Sequence, residues 1–239
     1  MKEPRLKIGI YVNDPAANLL KFVRAFRNWD LSFQSIWRDE LAQLQPGAVD
    51  VLLLHGGWYG IDRQPAQEQH TIQDSPTHRA MAEAVRRFVR SGGGLVGVCC
   101  GAYNVVWLGV IQAEISRTMG TGMHALEVVN EKHPILRGVI ERTRGHKDRK
   151  WKSLPVVRLN GPIFFPRDRS QLILSYDWEQ RLGAVLAADY GQGRAVAISP
   201  HPECTENERG DILNEPPLRS AGLLRNALYW SARHSVPKE

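Results

Sequence analysis

The sequence predicts an α/β fold, a mostly parallel sheet wrapped by helices with further, less regular strands in its second half. Three observations lead there. Short apolar runs alternate in the first hundred residues with stretches whose apolar side chains recur at helical spacing. Those runs end at glycines or polar turn residues. At 239 residues, 43% hydrophobic and 23% charged, the chain has the length and composition of one globular α/β domain with a sizeable core, expected to span residues 1–239.

Taken in order, LKIGIYV (6–12) reads as a buried strand, and ANLLKFVRAFRNW (17–29) carries Leu19, Leu20, Phe22, Val23 and Phe26 on one helical face. SFQSIW alternates as a second strand, and VDVLLLHGG (49–57) is a third, stopped by glycines. Ser75-Pro76 resembles an N-cap followed by proline at the first helical position. Met81, Ala84, Val85, Phe88 and Val89 then form an apolar face before Gly92, Gly93 and Gly94 end the helix. GLVGVCC follows as another buried strand that leads into a helix. Farther on, LEVVN, PVVRLN, PIFFP and QLILSYDW read as short strands, and AVLAADYGQGRAVAISP as a hairpin joined at Gly191-Gln192-Gly193. A closing helix, LRSAGLLRNALYWSAR, offers Leu223, Leu224, Ala227 and Leu228 to a sheet face. No repeat or linker divides the chain.

Composition narrows the function classes. No stretch approaches the roughly 18 apolar residues of a membrane span, and the five-residue apolar run before Asn13 is too short for a secretory signal; a cytoplasmic protein away from membranes is expected. The net charge of +6 resides mostly in residues 137–152, RGVIERTRGHKDRKWK, with seven Lys/Arg against two Asp/Glu. The remainder is close to neutral, 24 against 23. One basic patch with a lone Trp151 reads as a solvated loop rather than a nucleic-acid site. Three cysteines, two adjacent, make no disulfide framework and suit a reducing compartment. No CxxC or HExxH spacing appears, so neither a structural metal nor a cofactor is expected.

The adjacent cysteines carry the chemistry. A strand that turns sharply into a helix can hold a nucleophile, with small residues two before and two after it where the chains pack too closely for side chains. Gly97-Val98-Cys99-Cys100-Gly101 supplies that spacing for Cys99, whereas Cys100 would be flanked by Val98 and Ala102. A thiol at a helix N-terminus gains thiolate character. The N–H of Cys100 would face the oxygen of an attacked carbonyl, and the Gly56-Gly57 turn after VLLL is positioned to give a second donor. His201 in ISPHPE follows a late apolar strand, and Glu203 lies where it can orient the imidazole. Each of the three falls at the end of an expected strand, where α/β sites gather. The alternative from spacing alone is that the cysteines are small core residues and His201 a satisfied turn histidine. Asp14, His55, Gly56, Trp58 and Tyr103 are candidates to line a substrate pocket. His70, His78, His124 and His133 read as structural or exposed.

GVCCGAY resembles the GxCxG nucleophile elbow of the class I glutamine amidotransferase-like superfamily, and SPHPE is similar to its HxE. DVLLLHGG, GGGLVGVCCGAY, LNGPIFF and GRAVAISPHPE resemble, in the same order, segments of the amidotransferase-like domain at the N-terminus of some biotin-protein ligases, which also occurs as a stand-alone form. The resemblance implies a flavodoxin-like three-layer sandwich. It also implies Cys99 as nucleophile, His201 as base, Glu203 as its orienter, and Gly57 and Cys100 as oxyanion donors. One departure stands out: Tyr103 occupies the place of the glutamine in the family's GxCxGxQ pattern. Three function classes follow. The first is a cysteine hydrolase or amidotransferase-like enzyme acting on a small amide or acyl substrate, working as a homo-oligomer or with a separate synthetase partner. The others are a non-catalytic binding or regulatory domain, and a redox or aldehyde-directed thiol protein in which Cys100 and Cys204 take part.

Overall fold

Alternation of side chains across the sheet divides the interior into two cores. The computed structural model describes residues 5–12, 19–55, 76–116, 120–142, 152–177, 179–204 and 220–237. Within the third strand, Val51 and Leu53 enter one core while Leu52 and Leu54 enter the other, as a strand buried on both faces requires. All four are at most 2% exposed.

Five strands are parallel: β1 (Ile8–Tyr11), β2 (Phe33–Ile36), β3 (Val51–Leu54), β4 (Gly94–Val98) and β12 (Gly193–Ile198), in the order β2-β1-β3-β4-β12. From β12 the sheet continues antiparallel through β11 (Gly183–Tyr190), β10 (Leu172–Ser175), β6 (Thr121–Val128), β8 (Lys152–Leu159) and β7 (Glu141–Arg142). A further pair, β5 (Ala113–Ser116) with β9 (Ile163–Pro166), joins β11 where Gly183 opposes Phe164. Helices α1 (Leu19–Asn28) and α5 (Ser220–Ser231) pack on one face through Phe22, Phe26, Leu223, Leu224 and Leu228. On the other face α2 (Arg38–Ala42), α3 (Pro76–Arg90) and α4 (Cys100–Trp107) pack through Leu41, Met81, Val85, Phe88, Ala102 and Val105. The architecture is a flavodoxin-like three-layer sandwich, parallel at its centre, with extra antiparallel strands from the second half.

The apolar faces anticipated for α3 and α5 are the buried ones: Met81, Ala84, Val85, Phe88 and Val89, and Leu223, Leu224, Ala227 and Leu228, are all fully covered. The β11–β12 hairpin closes on two residues, Gly191 and Gln192, since Tyr190 pairs with Gly193. Gly191 has φ +61 and its Cα lies against Arg90, so a side chain there meets both a backbone penalty and a clash. Among the described residues, α2, β5 and β7 were not anticipated, nor were two short 3-10 turns, Pro134–Leu136 and Arg169–Gln171. Helix α2 is five residues long and is stabilised where the Glu40 carboxylate accepts the Trp37 N–H at 2.7 Å. Strands β5 and β7 are four and two residues, too short for a period to register. Strand β6 starts at Thr121 rather than near Leu126, because Thr121 to Ala125 pair with β8 although most are exposed. GLVGVCC ends as a strand at Val98; Cys100 already opens α4. The cap at Ser75, residues 143–151 of the basic segment and Trp151 lie outside the described residues.

Candidate functional site

Strands β3, β4 and β12 are neighbours and parallel, with Leu54 opposite Gly97 and Val98 opposite Ile198. The residues that follow them therefore emerge at one edge: His55 after β3, Cys99 after β4, and Ser199 to Cys204 after β12. The N–H of Cys99 extends the ladder by donating to the Ile198 carbonyl at 2.8 Å.

At Cys99 the chain leaves the sheet abruptly. Its backbone sits at φ 52, ψ −109, a conformation that residues with side chains rarely adopt, and its carbonyl takes the first hydrogen bond of α4, from Ala102 at 3.0 Å. The turn is tight because the first turn of α4 lies directly on the strands. A Cβ on Gly97 would run into the Gly101 carbonyl, and a Cβ on Gly101 into the Leu54 carbonyl. Both glycines of the GxCxG spacing are thus required by close backbone approach. Cys99 is 8% exposed and its thiol donates to the Leu159 carbonyl at 3.5 Å. Cys100, the first residue of α4, is half-buried. All three cysteines are free thiols.

His201 is held from both sides. Its N–H donates to the Val157 carbonyl of β8 at 2.7 Å, in an isolated antiparallel bridge between the two residues. Its carbonyl accepts from the Cys204 N–H at 3.1 Å, closing the turn that presents Glu203. Nδ1 of His201 lies 2.7 Å from Oε1 of Glu203, with each residue only 5% exposed. Burial is the largest single influence and works against a charged ring, but the Glu203 charge and hydrogen bonding with the Cys204, Cys99 and Glu203 side chains together outweigh it. The imidazole pKa is held well above its ordinary value. His201 and Glu203 are thus paired at the sheet edge where Cys99 also emerges, and Cys99 is among the groups that act on the ring.

The other sequence candidates divide. His55 is 3% exposed and its ring packs 6.0 Å from that of Phe22 on α1. Tyr103 is half-buried on α4, its ring centroid 5.3 Å from that of Trp107 one turn on. Asp14, Gly56, Gly57 and Trp58 lie outside the described residues.

Several residues near the site escaped the sequence reading. Tyr176, after β10, shares a 2.7 Å hydrogen bond between its hydroxyl and that of Ser199. The Arg158 guanidinium stacks 4.7 Å from the Tyr176 ring centroid while donating to the Gly161 carbonyl at 3.3 Å. Burial pushes the Tyr176 phenol up to about 12, against the pull of its Ser199 hydrogen bond and of the Arg158 charge. The lone arginine within the apolar run PVVRLN was the available signal; at 6% exposure it is a buried charge. Lys21 on α1 donates from Nζ to Sγ of Cys204 at 3.4 Å, and Cys204 is 1% exposed. Among the described residues, His201, Glu203 and Cys204 form the one group of three metal-ligating side chains, their donor atoms within 4.8 Å of one another.

No family model and no curated protein matches the chain. Solved structures do. The fold is similar to that of a glutamine amidotransferase from Thermotoga maritima, with a TM-score of 0.64 at 16% identity over 96% of this chain and 99% of that one. It is similar to a putative GMP synthase subunit protein from Thermoplasma acidophilum, with a TM-score of 0.62 at 14% identity over 96% of each. It is also similar to PurLQS from Thermotoga maritima, with a TM-score of 0.61 at 14% identity over 95% and 99%. At such identities the likeness is one of fold. No helix among the described residues is long and apolar enough to cross a membrane.

Proposed function

We propose that this chain is a cysteine-dependent amidohydrolase of the glutamine amidotransferase-like kind, acting on a small amide or acyl substrate through Cys99, His201 and Glu203. The observation that carries the reading is the backbone of Cys99, at φ 52 and ψ −109 between a strand and a helix, beside a buried His201–Glu203 pair. A strained conformation is retained where the surroundings enforce it, and here two glycines and the β3 backbone do so.

In the proposed mechanism His201 takes the Cys99 proton, and the raised imidazole pKa favours the protonated ring. The Cys99 thiolate attacks the substrate carbonyl, and the developing oxyanion takes hydrogen bonds from the backbone N–H groups of Cys100 and Gly57. The imidazolium gives its proton to the leaving amine, leaving a thioester on Cys99 and a neutral ring. The ring then takes a proton from water as the water attacks the thioester; collapse releases the acid and restores the thiolate. Glu203 holds the ring orientation throughout, and His55, Gly56, Trp58, Tyr103 and Asp14 border the substrate.

The same reading makes the chain one cytoplasmic domain from 1 to 239 and kin to the amidotransferase-like domain of biotin-protein ligases. It passes released ammonia to a separate synthetase partner or works as a homo-oligomer, without nucleic acid. One structural neighbour is named as a synthase subunit, which supports a separate partner.

Selective alkylation tests the reading. Iodoacetamide near neutral pH is expected to label Cys99 ahead of Cys100 and Cys204 by mass spectrometry, and His201→Ala to slow that labelling. Equal labelling of all three cysteines in both proteins would sink it. With an identified substrate, His201→Ala is expected to lower turnover by roughly 100- to 10,000-fold. A second reading, a ligand-binding domain with an inert thiol, is favoured by the Cys99 hydrogen bond to the Leu159 carbonyl at 8% exposure. A ligand that protects Cys99 without being consumed would mark that case.

A further inference from the structure

The His201–Glu203 pair shares its corner with a second thiol that the proposed reaction does not use. Cys204 is 1% exposed, its sulfur accepts from Lys21 Nζ, and its N–H donates to the His201 carbonyl at 3.1 Å. Glu203 uses Oε1 for the imidazole, whereas its buried Oε2 has no hydrogen-bond partner among the described residues. A carboxylate oxygen buried in this way costs free energy unless something occupies its lone pairs.

We propose that His201, Glu203 and Cys204 bind a zinc ion that competes with the use of His201 by Cys99. The donor set is one thiolate, one imidazole and one carboxylate, the combination that tetrahedral Zn²⁺ takes with three protein ligands and an open fourth position. One thiolate and one carboxylate offset the dication, and the Lys21 ammonium beside the sulfur adds one positive charge. The donor atoms lie within 4.8 Å of one another, and the His201–Glu203 contact at 2.7 Å is shorter than the ligand–ligand separation of about 3.5 Å in such a site, so side-chain rotation has to open that contact and close the wider ones. Lys21 donates to the ligating sulfur as an outer-shell partner. The metal takes a deprotonated thiolate and a free imidazole nitrogen, so its binding competes with protons.

An imidazole that holds a metal through one nitrogen and a proton on the other has no lone pair left for a thiol. The inhibitory consequence rests on the reading of His201 as the proton partner of Cys99; the metal site does not.

The test uses the full chain, reduced and freed of metal with a chelator. Cobalt(II) is added as a coloured stand-in, and zinc affinity is measured by competition with a chromophoric chelator. The wild type and Cys99→Ala are expected to show a thiolate-to-cobalt charge-transfer band. In Cys204→Ser, which keeps the side-chain volume, the band is expected to vanish and zinc affinity to fall by more than the roughly 10- to 100-fold that losing an outer-shell partner costs. A wild type without the band, or a folded Cys204→Ser that keeps it, overturns the site. In parallel, zinc is expected to slow iodoacetamide labelling of Cys99 in the wild type and not in Cys204→Ser. Unchanged labelling beside an intact band overturns the inhibition alone. Labelling of the metal-free protein that ignores His201→Ala defeats the enzymatic reading and leaves the band untouched.

Discussion

Cys99 holds its unusual backbone because its neighbours two residues away have no side chains. Gly101 is the more constrained of the pair, its Cα facing the Leu54 carbonyl across a gap that no methyl group fits. Gly101→Ala is therefore expected to push α4 off β3 and β4, at a cost of about 3 kcal/mol or more in denaturant unfolding, and to erase the selective alkylation of Cys99. An unchanged midpoint with unchanged labelling would show that the turn tolerates the methyl group. The spacing that points to Cys99 is local, so it was legible in the sequence. His201 and Glu203 were legible for the same reason, two residues apart after an apolar run. Tyr176, Arg158 and Lys21 were not, because β10, β8 and α1 bring them to the site from distances along the chain that no local pattern encodes.

Helix α5 is docked at one point by a histidine whose charge the fold refuses. His133 packs 4.8 Å from the Trp230 ring and accepts the Ile135 N–H through Nδ1, so it needs a neutral nitrogen. Burial, and after it the Arg194 charge, lower its pKa from 6.5 to about 4, with Asp189 opposing both. Between those two pH values the unfolded chain binds a proton that the folded one does not, so this contribution is complete above about 6.5 and is lost as pH falls toward about 4. His133→Gln retains an acceptor without the titration, and its Tm is expected to fall less than that of the wild type over this range. Parallel curves would remove His133 from the account. Elements were legible where a period had room to repeat. Helix α3, with 15 residues, declares its buried face. Strand β5, four residues long and only half-buried beside β9, carries no alternation to read.

Across the whole molecule, protection is expected to follow position in the sheet. Strands β4 and β12 are paired on both sides and buried on both faces, whereas β2 and β7 lie at its two ends. Native-state hydrogen exchange should find the β4 and β12 amides opening only with global unfolding, and those of β2 and β7 opening earlier. Comparable protection at centre and edge would contradict the layered core. The central pair is assembled from distant parts of the chain: β4 ends at Val98, and its neighbour β12 begins only at Gly193. While the polypeptide emerges from the ribosome, β4 therefore waits for roughly a hundred residues of synthesis with one flank open, a few seconds or more at cellular elongation rates. During that interval its unpaired amides and carbonyls are open to pairing with another copy, which gives a chaperone reason to shield them.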